Sequence, residues 1–413
     1  MPVLSRLLEA PLRRCLDQFP AVVLEGARQV GKSTLARNLP HAYVSLDDVQ
    51  SLAEARRDPD RFVRGLSVPV TIDEAQRVPD LMLAVKAAID RDRRPGSFLL
   101  TGSANLSFLR KARESLAGRA ALLRVFPMTA SELAGDAAWN PLERLDACRE
   151  AGEVLAAFRQ GREFRIGEGV LAGGFPEPAH ALPPAKRPGW FEAYRTLYVS
   201  RDVPELVRVE QMGDFLRLAS LCAASTAQLV NLSRMARDVA VSVDTVRRWL
   251  NVLEATYLVE RLQPYWRNTR SRLVRTPKLH VGDSGMAAHL LGVRDWADAG
   301  TRGVDGFLLE TWVHQQLKAF AESPERQTGL YFFRSHGGPE VDLVMERGGR
   351  LIPVEVKRAA TLRREDAAGL RAFLDLAGKD APFGILLHGG GEAVSLGDRI
   401  VALPLRAFLA GPG

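Results

Sequence analysis

The chain has 413 residues, 46% of them hydrophobic and 25% charged, which excludes a disordered or fibrous protein and leaves room for two or three domains with cores of their own. Its three cysteines, Cys15, Cys148 and Cys222, lie too far apart for a metal-ligand or disulfide framework, and no apolar run reaches the length of a membrane span, so a cytoplasmic protein without membrane contact is expected. The formal charge of +7 is unevenly spread: residues 231–280 hold ten Lys or Arg against four acids, the footprint of a nucleic-acid contact and equally of a solvated basic surface.

Near the start, the apolar run Ala21-Val22-Val23-Leu24 leads through Glu25 into Gly26-Ala27-Arg28-Gln29-Val30-Gly31-Lys32-Ser33-Thr34. This string fits G-x-x-x-x-G-K-[ST] at every fixed position, between a strand pattern and a helix former. Glycines at such a loop let backbone N–H groups converge on a phosphate, Lys32 reaches the β and γ oxygens, and Ser33 offers a hydroxyl to Mg²⁺. A plain Gly-rich turn after a strand is the alternative. Downstream, Val68-Pro69-Val70-Thr71-Ile72-Asp73-Glu74 reads as a buried strand ending in two acids. Asp73 is expected to hold Mg²⁺ through water and Glu74 to polarise the attacking water, against the alternative of a solvated turn.

The next strand pattern, Ser97 through Ser103, ends in small polar groups, and Thr101 or Ser103 is the expected γ-phosphate sensor. Arg119 stands immediately before a further strand, Ala121-Leu122-Leu123-Arg124-Val125-Phe126. It is either a transition-state arginine offered to a neighbouring subunit's site or a surface arginine at a helix end. Residues 140–210 read as a helical lid or linker containing Gly173-Gly174-Phe175-Pro176, with Arg201 as a candidate lid arginine.

In the basic middle, residues 232–239 and 243–250 resemble a helix-turn-helix, with Ser242 the expected N-cap of the second helix. Thr245, Arg247 and Arg248 would face nucleic acid, together with Arg267, Arg270, Arg272 and Arg275 from a loop without acids between two strand patterns, 257–262 and 278–281. A winged-helix module fits this order, either as a DNA reader or as a packing unit. Towards the C-terminus, two strand patterns flank Gly348-Gly349. Asp342 lies on the first, Glu355 and Lys357 on one face of the second, and Glu310 on an upstream helix. A hairpin would gather Asp342, Glu355 and Lys357, the carboxylates to hold Mg²⁺ and the lysine to act on the attacking water. The set looks like a PD-(D/E)xK nuclease core, while a half-exposed strand with acids and lysine is the plainer reading.

Taken together, the chain resembles a prokaryotic family of AAA-type ATPases joined to a C-terminal domain of unknown function, related to the archaeal ATPase family. The resemblance is carried by residues 26–34, Ile72-Asp73-Glu74-Ala75-Gln76, Leu100-Thr101-Gly102-Ser103, Ser115-Leu116-Ala117-Gly118-Arg119 and Val354-Glu355-Val356-Lys357. An α/β protein is therefore expected: an AAA-type P-loop ATPase core in 1–135, a helical lid or linker in 136–210, a winged-helix module in 211–295, and a restriction-endonuclease-like α/β domain in 296–413. The resemblance implies Mg²⁺-dependent binding and hydrolysis of ATP, and the shared position of Arg119 suggests a homo-oligomer with ATP sites between subunits. Two functions follow. In one the ATPase binds or processes DNA; in the other it is a nucleotide-dependent switch acting on a protein partner, with an inactive nuclease-like domain.

Overall fold

The computed structural model describes residues 4–102, 114–201, 211–266, 276–322, 328–335 and 338–412, side chains of 198–201 excepted. The expected site residues Ser103, Arg267, Arg270, Arg272 and Arg275, and the side chain of Arg201, lie outside that description. The chain divides into two compact units, one made of Arg6–Phe126 with Ala255–Tyr257, the other of Met1–Ser5, Pro127–Glu254 and Leu258–Gly413. Among the described residues no helix is long and apolar enough to cross a membrane.

The first unit is built on a parallel sheet of β1 (Ala21–Glu25), β2 (Ala42–Ser45), β3 (Val70–Asp73), β4 (Phe98–Thr101) and β5 (Ala120–Arg124), in the order β2-β3-β4-β1-β5. β3 and β4 are buried at every residue and β1 at its first four, as short apolar runs must be when a parallel sheet is covered on both faces. The helices that cover it begin where the sequence provides caps. Asp48 accepts Ser51 N–H at 2.8 Å, and Asp58 accepts Arg61 N–H at 3.0 Å ahead of a proline in the first helical turn. The helix Leu81–Arg91 buries Leu81, Met82, Val85 and Ile89 against Val23, Val70, Ile72 and Leu100 in one core. In this sheet β4 lies between β1 and β3, so the loop after β1 and the end of β3 flank the end of β4, and the chain's polar groups converge there.

The second unit holds two sheets. Three antiparallel strands, β6 (Gln228–Leu229), β7 (Val259–Leu262) and β8 (Lys278–Val281), run in the order β6-β8-β7 and accompany the helices Met212–Ala224, Leu232–Val239 and Val243–Ala255. A left-handed Ala240 ends the middle helix, and Phe215 packs edge-on to the fully buried Trp249 at 5.7 Å between centroids. The larger sheet contains β9 (Thr328–Arg334), β10 (Glu340–Arg347), β11 (Arg350–Lys357), β12 (Gly384–His388), β13 (Val394–Ser395) and β14 (Ile400–Pro404), in the order β13-β14-β12-β11-β10-β9. Its β9-β10-β11 part is antiparallel, and β11, β12 and β14 are parallel.

The helix Ala368–Ala377 buries Leu370, Phe373 and Leu374 on one face of this sheet. The helix Asp305–Ala321 is buried almost all round, with Glu310, His314, Gln315 and Gln316 buried as well as Leu308, Trp312, Val313, Leu317 and Phe320, because protein surrounds it. Beyond β7 the chain runs beside β9, with Tyr265 N–H donating to Phe332 O at 2.6 Å and Phe332 N–H to Gln263 O at 3.1 Å. That stitch carries the small sheet, and β8 with it, onto the acid-bearing end of the large one.

Candidate nucleotide site and carboxylate cluster

The loop after β1 is set by backbone demands. Gly26 has φ +147°, and a Cβ on it would lie 2.4 Å from Val125 O, so only glycine lets the loop lie this close to the end of β5. Gly31 has φ 101° and caps the helix Lys32–Arg37, while Gln29 is left-handed and Val30 fully buried. Arg6 braces the loop from outside, its guanidinium donating to Val30 O at 2.9 Å and Phe126 O at 2.7 Å. Lys32 is buried, and its ammonium donates to Gly26 O at 2.9 Å and Ala27 O at 2.7 Å. Arg28 lies in the turn ahead of that helix and Thr34 within it.

Asp73 is the hub of the site. Ser33 Oγ donates to its Oδ1 at 3.0 Å, Tyr43 OH to its Oδ2 at 2.6 Å, and the Thr101 hydroxyl also donates to Oδ1. Burial and the bond to Asp73 push the Tyr43 phenol up to about 12, so it stays a donor. The strand ends at Asp73 rather than running through Glu74. Glu74 turns left-handed at φ 56°, gives its N–H to Thr101 Oγ1 at 3.3 Å, and accepts from the Gln76 side chain. Arg119, just before β5, is held within its own unit by Asp90, with Nε to Oδ1 at 2.6 Å and Nη2 to Oδ2 at 3.1 Å. That bond holds the Asp90 carboxyl below its usual range.

These groups fit a magnesium nucleotide. A glycine cradle with no room for a side chain, a buried ammonium at its rim, and a serine hydroxyl already paired with a strand-end carboxylate form the donor set for phosphate and a hard cation. Sequence reasoning did not find Arg6 or Tyr43. Neither belongs to a local pattern, and each meets the site only through the fold.

The second unit gathers the expected acids differently from expectation. The β10–β11 hairpin does bring Asp342, Glu355 and Lys357 together: Val356 N–H donates to Asp342 Oδ2 at 2.9 Å and Lys357 Nζ to Glu355 Oε1 at 2.7 Å. Glu355 Oε2 is buried and has no hydrogen-bond partner among the described residues. The helix Asp305–Ala321 adds Glu310. At the centre stands Lys278, the first residue of β8, only 3% exposed. Its Nζ lies 2.9 Å from Glu310 Oε1, 2.6 Å from Glu340 Oε1 and 3.7 Å from Asp342 Oδ1.

Burial alone would lower the lysine's pKa, but the charges of Glu310, Asp342 and Glu340 outweigh it and the pKa is raised, so Lys278 stays an ammonium. Burial, with Asp342 beside it, pushes Glu355 up to about 8, and burial raises Glu310 well above the usual carboxylate range. His280, fully buried and stacked on His314 at 4.2 Å, is held neutral by burial, then by His314 and Lys278. Among the described residues no group of three or more His, Cys, Asp or Glu is arranged to hold a metal ion.

In the helix pair, Ser242 Oγ accepts Thr245 N–H at 3.1 Å and so caps the second helix. Arg247 pairs with Asp244 on its own helix and Arg261 with Glu254, while Lys278 is buried among acids. Lys278 thus spends its charge inside the protein on acids from outside residues 231–280, whereas Arg247 and Arg261 pair with acids already counted within that stretch. Arg237 and Arg248 remain exposed.

Comparison with known proteins adds three matches along the chain. Residues 18–134 match an AAA domain, residues 164–297 a domain of unknown function (DUF8612), and residues 305–408 another (DUF4143). The uncharacterized proteins Rv2008c of Mycobacterium tuberculosis and Mb2031c of Mycobacterium bovis are each 31% identical over 407 residues, which is 97% of this chain and 83% of theirs. Among solved structures, the Walker-type ATPase PABY2304 of Pyrococcus abyssi is 16% identical with a TM-score of 0.41, over 70% of this chain and 96% of that one.

Proposed function

This chain belongs to the family of the mycobacterial proteins Rv2008c and Mb2031c and carries an AAA domain, and from that premise we propose that it is a Mg²⁺-dependent ATPase whose nucleotide cycle acts on bound nucleic acid. The observation that carries the ATPase reading is the Ser33–Asp73 contact of 3.0 Å beside the Gly26 cradle and the Lys32 ammonium. Bound Mg²⁺ would neutralise charge on the transferred phosphoryl group and orient it. The roles read for the chain's own residues follow from that. The backbone of residues 26–31 grips the phosphates, Lys32 gives up its two loop carbonyls for phosphate oxygens, Ser33 and Asp73 are the groups to hold the ion, and Glu74 is the group to orient the attacking water. Thr101 couples these events to β4, since it bonds both the Asp73 carboxylate and the Glu74 N–H. Ser103 is proposed as sensor and Arg119, once freed from Asp90, as the arginine offered to a neighbouring subunit of a homo-oligomer.

We read the segment from Met212 to Val281 as a winged helix. The order helix, strand, helix, helix, strand, strand supports this, as does the three-stranded sheet β6-β8-β7. Its DNA-facing groups are taken to be Thr245, Arg247 and Arg248, joined by Arg267, Arg270, Arg272 and Arg275. The C-terminal α/β unit is read as nuclease-like on its β9 to β12 arrangement and the Asp342, Glu355, Lys357 set. One observation favours a second reading, a nucleotide-dependent switch without cleavage: Lys278 fills the centre of the carboxylate cluster.

The test is ATP turnover and binding by wild type, Lys32→Ala and Glu74→Gln. Lys32→Ala is expected to lose nucleotide binding, and Glu74→Gln to bind ATP while turning it over at least about 100-fold more slowly. Undiminished hydrolysis in Glu74→Gln would remove Glu74 from its role.

A further inference from the structure

The carboxylate cluster of the second unit has the composition of a hard-cation site, but its oxygens are set around an ammonium and not in a metal ion's arrangement. Four carboxylates, of Glu310, Glu340, Asp342 and Glu355, come from one helix and two strands. A divalent hard cation binds such oxygens at about 2.0–2.6 Å. Here the Lys278 ammonium already lies 2.9 Å from Glu310 and 2.6 Å from Glu340, with Asp342 at 3.7 Å. The lysine is not a surface group that has strayed inwards. It opens β8, where its backbone is paired on both sides, opposite Leu262 of β7 and Leu229 of β6, and every residue of that strand is buried. The ring of Phe332 lies 5.5 Å from its Nζ. Withdrawing the ammonium therefore means moving a strand, whereas an exposed side chain would only need to rotate.

We propose that Lys278 is the resident cation of this cluster and that it keeps divalent metal ions out for as long as β8 is seated. Magnesium does not fit the cluster as built: an ammonium occupies the ground between Glu310 and Asp342, and a second, doubly charged cation there meets like charge in a buried site. What the lysine leaves over is Glu355 Oε2, a buried carboxylate oxygen without a partner, 8% exposed as a residue. That unspent acceptor beside Asp342 is what a metal would claim if Lys278 were gone. The two modules are thereby interlocked, because the small sheet supplies the charge that the large one lacks.

The inference deepens the non-cleaving reading above and rests on it for its consequence, so ion occupancy and strand cleavage are scored separately. Mn²⁺ bound per full-length chain is counted by electron paramagnetic resonance without nucleotide, in a Lys32→Ala background that silences the P-loop. Wild-type cluster and Asp342→Asn are expected to bind equal numbers of Mn²⁺. Lys278→Met and Lys278→Gln, checked for folding by circular dichroism, are expected to gain one ion each, lost again on adding Asp342→Asn. An ion that Asp342→Asn removes from the otherwise unchanged cluster overturns the proposal, and so does a folded Lys278 variant that gains none. If neither Lys278 variant folds, the Asp342→Asn comparison alone decides. DNA cleavage with no ion in the cluster would sink the non-cleaving reading and leave this inference standing.

Discussion

Gly26→Ala tests whether the loop after β1 is shaped by close backbone approach. The new Cβ would sit 2.4 Å from Val125 O and 3.3 Å from Val125 C, both main-chain atoms that cannot rotate away, and the residue would keep φ +147°. That φ costs a non-glycine residue about 1–3 kcal/mol, and relieving the overlap adds about 1–3 kcal/mol of displaced backbone. If the loop yields, a total of about 3 kcal/mol appears as an ATP affinity lowered roughly 100-fold. If it holds, the same energy appears as a melting temperature lowered by roughly 10 °C. The assay is equilibrium titration with a fluorescent ATP analogue alongside a thermal melt of the same preparation, and the two free-energy losses are added. Gly65→Ala is the internal control: nothing lies within 4 Å of its Cβ and it ends the helix Pro59–Gly65, so it should stabilise by about 0.5 kcal/mol. A Gly26→Ala protein with affinity within twofold of wild type and an unchanged melt would refute the reasoning.

Three further predictions concern charge. Asp283 is fully buried, accepting Gly174 N–H at 2.7 Å and Met286 N–H at 3.0 Å, and burial pushes its carboxyl up to about 6. A folded pKa above the unfolded one means its contribution to stability is full below the unfolded value and is lost as pH rises through about 6. Stability from urea unfolding at pH 5 to 8 should therefore fall more steeply in wild type than in Asp283→Asn, by about 1.4 kcal/mol over that range; parallel curves would exclude this account. Arg119→Ala mixed with Glu74→Gln should regain part of the turnover that each lacks alone if Arg119 acts across subunits, and specific activity should rise with protein concentration. Two inactive proteins that stay inactive when mixed would confine Arg119 to its pair with Asp90. Arg248→Ala should reduce the slope of log affinity for duplex DNA against log salt by about one, whereas Arg261→Ala, whose charge is spent on Glu254, should leave that slope alone.

How much of this was legible in the sequence depended on whether the signal was local. The loop at residues 26–34 was legible because its glycines answer to backbone angles fixed within a few residues. Asp73 followed from an apolar run ending in an acid, although the strand stops there and Glu74 turns left-handed, a bend that no periodicity announces. Ser242 was readable as a cap for the same local reason. Lys278 shows the opposite case. Along the chain it counts as one more basic residue in a positive stretch, and only the seating of β8 beside the helix Asp305–Ala321 turns it into the partner of Glu310, 32 positions away. The same holds for Arg6, which reaches Phe126 O across 120 positions. A count of charges by sequence window overstated the basic surface because Lys278 is buried among acids from outside that window.

One measurement bears on the central claim most directly: ATP hydrolysis by the full chain with and without a panel of duplex, branched and single-stranded DNA in Mg²⁺, each reaction scored for cut strands. The account predicts turnover that disappears in Lys32→Ala, a response of that turnover to DNA, and uncut DNA throughout. A wild-type protein that leaves ATP intact, one whose turnover survives Lys32→Ala or ignores DNA, or one that cuts the DNA would contradict it.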